Sequence, residues 1–148
     1  MDNLLHEIIA LSDLDLLERV ARQVMGWQWV RGNNGDVPTL FFFSPSAPEF
    51  HFRRDPIQGD ERRAYLWHSR VPFYVTDAND TRHIEKRLVE RGLQADYCHA
   101  LTDVIKYHNA GVVSAWHFIR LTPRDRCEAA VLTMERAHQF VITESPHA

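Results

Sequence analysis

The sequence predicts one α/β domain, an α-β-α sandwich with a mostly antiparallel or mixed sheet and helices on both of its faces. Three observations predict it. Stretches with apolar residues three and four apart alternate with short runs rich in aromatic and β-branched residues. Clusters of Gly, Pro, Asn and Asp separate these stretches. A chain of 148 residues with 45% hydrophobic content supports a single core and leaves little for a second.

Ser12 is followed by Leu14, Leu17, Ala21 and Val24 at helical spacing, with Leu16 and Val20 widening the stripe and Gly26 ending it. Leu4, Leu5, Ile8 and Ile9 predict a preceding helical turn, or a continuous helix from about residue 3 that Ser12 interrupts. Residues 27–31 alternate around Trp27 and Trp29, the turn cluster Gly32-Asn33-Asn34-Gly35-Asp36 follows, and residues 39–44 are rich in Phe. Together they predict a β-hairpin. Residues 50–53 alternate again as a short strand between prolines, and residues 64–67 and 71–75 are further strand candidates.

Asp77, Asn79 and Asp80 offer caps for a helix that carries Ile84, Leu88 and Val89 and stops at Gly92. Residues 95–108 predict another helix, with Tyr97, Leu101, Val104, Ile105 and His108 on its stripe. Residues 112–121, apolar on both alternating faces, predict the central strand of the sheet and place His117 on it. Thr122, Pro123 and Asp125 supply a cap hydroxyl, a first-turn proline and an N3 acid for a last helix, with Cys127, Ala130, Val131, Met134, Ala137, His138 and Val141 as its stripe. Residues 143–148 read as a loose tail.

The net charge of −3 gives no reason for general affinity toward nucleic acid or anionic membrane. The longest frankly apolar run, residues 40–43, is far short of the ~20 residues that cross a bilayer. Two cysteines without ligand spacing support neither a disulfide framework nor a structural zinc site. With no secretory signal visible, a cytoplasmic location is expected.

Three stretches carry a family resemblance: residues 16–27, with Val24-Met25-Gly26-Trp27; residues 72–77; and residues 121–130, with Thr122, Pro123, Cys127, Ala129 and Ala130. In this order the chain resembles the phage ABA-sandwich domain family of small phage and prophage proteins, over about residues 13–139. The resemblance implies the α-β-α sandwich and a phage or prophage setting. It implies no common reaction or cofactor, and its motif residues are structural. Against that pattern, about residues 44–70 and the helix 95–108 are added material.

The basic side chains are 15 Arg and 2 Lys, and five of those arginines fall within residues 53–70. That span carries +2 and the rest of the chain −5. Arg53, Arg54, Arg62, Arg63 and Arg70, with Trp67 and His68 among them, form the candidate ligand site. Guanidinium forks and an indole face suit a phosphate and a base.

No metal or cofactor is expected. His99, His108 and His117 stand nine apart without HxH or HExxH spacing, so a metal would need ligands gathered from distant elements. His108 and His138 read as hydrogen-bonded histidines at the edge of the core. Cys127 reads as buried, and Ser44, Ser69 and Ser114 lack a nucleophile-elbow setting. The paired acids Asp13/Asp15 and Asp60/Glu61 read as capping and solubility groups.

The expected function is therefore that of a non-enzymatic phage accessory protein. It would bind a small anionic ligand such as a nucleotide signal, an anti-defence role. A module that binds a host protein through its aromatic-rich first half is the alternative, and an enzyme ranks third. Surplus aromatic surface also leads to an expectation of homo-oligomers.

Overall fold

The computed structural model describes residues 3–34, 37–43, 51–54 and 71–144. In chain order the elements are α1 (Asn3–Ile9), α2 (Asp13–Gln23), β1 (Gln28–Asn34), β2 (Val37–Phe43), β3 (His51–Arg54), α3 (Ala78–Glu90), α4 (Gln94–His108), α5 (Ala115–Ile119) and α6 (Pro123–Glu144).

All seven residues of 127–133 are buried, which is nearly two full helical turns. A helix that is buried all round has neighbours on every side. Around α6 those neighbours are α1, α2, α3 and α4. The core is built from Ile8, Leu16, Val20, Ile84, Leu88, Val104 and Leu132, with Ala129 and Ala130 letting the other helices approach α6 closely.

This is a helical bundle, and it overturns the expected α-β-α sandwich and with it the fold implied by the phage ABA-sandwich resemblance. The described strands pair with one another, β1 antiparallel to β2 and β2 to β3, with Trp29 opposite Phe42 and Leu40 opposite Arg54. The hairpin read from the sequence is present, but among the described residues no sheet lies between two helical layers. Trp27 and Trp29, at its start, pack back onto the helical core, and Trp29 donates its indole N–H to Glu18 Oε1 at 3.1 Å.

Two predicted strands account for the error. Residues 112–121, expected at the centre of the sheet, are a loop and the short α5, with Trp116 60% and Ile119 72% exposed. Their apolar character on both faces imitates a buried strand, yet Ser114 and His117 cap one another and close a helical turn locally. Residues 71–75 are not a strand but lead into a turn at 74–76, closed by the Asp77 amide donating to the Phe73 carbonyl at 2.8 Å. That turn buries Val71, Tyr74 and Val75 and leaves Phe73 outside.

The local helix signals are present. Ser12 accepts the Asp15 amide, so α1 and α2 are two helices rather than one. Asp77 accepts the Asn79 and Asp80 amides at the start of α3. Val89, placed with Ile84 and Leu88 by spacing, is exposed. Gly26 and Gly92 follow α2 and α3 at positive φ.

At Gly92, φ is +74° and an added Cβ would meet nothing within 4 Å, so only backbone strain opposes a side chain there. Gly92→Ala is expected to lower stability by about 1 kcal/mol, the left-handed penalty alone. Urea denaturation measures it; an unchanged midpoint would show that the turn relaxes out of that conformation.

Candidate metal centre

The end of α4 and the start of α6 meet because each boundary is fixed locally. Past His108 the chain turns through Ala110 and Gly111, both at positive φ, while Asn109 Nδ2 donates to the Ile105 carbonyl. At α6, the Thr122 amide donates to Asp125 Oδ2 at 3.0 Å and the Asp125 amide donates to Thr122 Oγ1 at 3.1 Å. This reciprocal cap pins the Asp125 carboxylate and turns Oδ1 toward α4. Glu128, three residues on, shares that helix face.

His108 Nε2 lies 3.1 Å from Glu128 Oε1 and 3.8 Å from Asp125 Oδ1. Glu128 is 1% exposed, yet both of its oxygens are engaged, Oε2 by Arg124 Nε at 3.0 Å. Arg124 also reaches Asp13 Oδ1 and donates to the carbonyls of Ile9 and Leu11 at 3.1 and 2.6 Å. One guanidinium thus ties the α1–α2 junction to a buried carboxylate. Burial pushes the Glu128 carboxyl up from its ordinary range, with Asp125 adding to the rise and His108 and Arg124 opposing it.

His108 and Asp125 open onto a cleft of about 240 Å³ whose walls also include Val104, Ile105, His117 and Arg120. His117 Nδ1 accepts the Ser114 amide at 3.1 Å, so the neutral ring carries its proton on Nε2. That makes His117 a donor, unsuited to ligate a metal through Nε2. The Arg120 guanidinium lies 5.9 Å from the centre of the Trp116 ring.

The ligating atoms of His108, Asp125 and Glu128 all lie within 4.8 Å of one another. Tetrahedral zinc separates its N and O ligands by about 3.3–3.6 Å, given metal–ligand bonds of about 2.0–2.2 Å. The two histidine–carboxylate separations, 3.1 and 3.8 Å, bracket that value. One imidazole and two carboxylates suit a first-row divalent cation. Arg124 stands behind Glu128, where an outer partner would orient that carboxylate toward a metal.

None of these three residues was among the predicted site residues. The sequence marks Asp125 as a cap, which it is, and His108 as hydrogen-bonded, which it is. The available signal was the Asp125/Glu128 pair three apart in the first turns of a helix. Its partner His108 arrives only through the packing of α4 on α6. Of the predicted ligand residues, Arg53 and Arg54 lie in β3, opposite Phe41 and Leu40. Arg62, Arg63, Trp67, His68 and Arg70 lie outside the described residues, as do residues 145–148 of the predicted tail.

Cys127 Sγ donates to the Tyr74 carbonyl at 3.1 Å, and burial pushes its thiol up to about 12, which keeps it protonated and structural. Among the described residues, no helix is long and apolar enough to cross a membrane. Comparisons of the chain with protein-family models, with curated proteins and with solved structures find no match.

Proposed function

We propose that this protein binds a first-row divalent cation through His108 Nε2, Asp125 Oδ1 and Glu128 Oε1, and presents it to the cleft between α4, α5 and the start of α6. The observation that carries this reading is the meeting of three ligand atoms of suitable type within 4.8 Å, one of them on a carboxylate buried in the core. Two carboxylates and one arginine leave the cluster net negative while His108 is neutral, so a divalent cation supplies the missing positive charge. Three protein ligands leave a coordination position for a small molecule. The phage setting rests on the resemblance, and the anti-defence role on the resemblance together with the arginine-rich span 53–70, of which residues 55–70 lie outside the described residues.

Titration of tag-free protein with Zn²⁺ by calorimetry is expected to show one saturable site. His108→Ala and Asp125→Asn should each weaken it by on the order of 100-fold, the upper end of what even outer partners of a metal contribute. His138→Ala, on an exposed position of the same helix, should leave it unchanged. Asparagine at 125 can still cap α6, so that variant keeps its fold. Binding that is absent, or unchanged in both triad variants, would refute the site.

A further inference from the structure

The cleft is lined by a guanidinium and a second imidazole as well as by His108 and Asp125. Asp125 and His108 belong to the triad, and His117 and Arg120, the latter just past α5, line the same space. An empty triad would repel an anion, because Asp125 and Glu128 are carboxylates. A triad holding a divalent cation reverses that sign and leaves coordination positions facing the cleft. The same cleft then offers the Arg120 fork and His117, whose Nε2 carries the proton because Nδ1 accepts the Ser114 amide.

Metal, guanidinium and imidazole N–H come from three separate residue positions. A tetrahedral oxyanion can give each its own oxygen, whereas a planar carboxylate has two oxygens to offer three partners. A volume of about 240 Å³ holds a phosphoryl group with a small substituent. Val104, Ile105 and Leu121 supply apolar wall for that substituent.

We propose, resting on the metal reading above, that the cleft binds the phosphoryl group of a small phosphorylated molecule, bridged between the cation and the Arg120 and His117 side chains. Binding is conditional on the metal and, by reciprocity, strengthens it.

The test uses inorganic phosphate as probe and the full chain with and without metal. Phosphate is expected to tighten Zn²⁺ binding by about 5–150-fold, the usual span of coupling between two sites. In ³¹P spectra, protein loaded with Mn²⁺ should broaden the phosphate line beyond free Mn²⁺ at the same concentration, and metal-free protein should not. Arg120→Gln should remove most of the phosphate effect, read as the ratio of Zn²⁺ affinities with and without phosphate in that variant. Its side chain is at the surface and contributes little to folding, and His117→Gln should act in the same direction. Acetate in place of phosphate should give little coupling.

If Zn²⁺ fails to bind at all, the metal reading and this one fall together. If Zn²⁺ binds and phosphate changes nothing, or changes wild type and Arg120→Gln equally, the phosphoryl site alone is refuted. Coupling as strong with acetate as with phosphate would refute the tetrahedral recognition.

Discussion

Arg124→Met is expected to lower the unfolding free energy at neutral pH by about 3–5 kcal/mol, the cost of removing one partner from a buried charge pair. Methionine keeps much of the aliphatic stem, so the loss reports the guanidinium rather than packing. With it go the hydrogen bonds to the Ile9 and Leu11 carbonyls and the charge facing Glu128 Oε2. The contact with Asp13, whose side chain is well exposed, contributes little.

The deficit should also depend on pH, with a sign fixed by Glu128. Its folded-state carboxyl is raised from an ordinary value of 4.5, mainly by burial. Its contribution to stability is therefore fully present below that ordinary value, and is lost as pH rises through the folded one. Without Arg124 the ionised form is harder still to hold, so variant and wild type should converge partly in mild acid. What remains is the share due to the two carbonyls. Urea denaturation across that range measures both quantities, and a deficit under about 1 kcal/mol at neutral pH would show that Glu128 is compensated by other groups.

Leu132→Ala is the second large effect, expected at about 2–5 kcal/mol. Leu132 is fully buried within the stretch of α6 that other helices surround, so the cavity has little freedom to collapse. Ile119→Ala removes a side chain of similar size at a position 72% exposed and should stay within about 0.5 kcal/mol. A strand at the centre of a sheet would give Ile119 the larger loss, so the pair of measurements distinguishes the bundle from the sandwich directly.

Helix boundaries were legible in the chain wherever the capping groups are sequence neighbours. Ser12 with Asp15, Asp77 with Asn79, Thr122 with Asp125, and the glycines at 26 and 92 all act within a few residues. The hairpin was legible for the same reason, since a turn cluster and alternation are local. Residues 71–75 and 112–121 misled because alternating apolar residues report that side chains are greasy, without reporting which neighbour takes them. In the bundle the first segment buries Val71, Tyr74 and Val75 around a turn, and the second leaves Trp116 and Ile119 in solvent.

The candidate metal centre divides in the same way. Asp125 and Glu128 are placed on one face by helical spacing alone, and the Thr122 cap that orients Asp125 is readable from the sequence. His108 lies 20 residues from Glu128, and Arg124 reaches Asp13 across 111 residues. By itself, then, the sequence determined the helix starts and stops, the hairpin, and the placing of Asp125 and Glu128 on one helix face, because short-range hydrogen bonds and periodicity govern them. Only the tertiary structure decided that α6 sits at the centre of a bundle and that α4 delivers a histidine to it. Those outcomes depend on which apolar faces meet, a choice made among distant segments by packing and not encoded in any one of them.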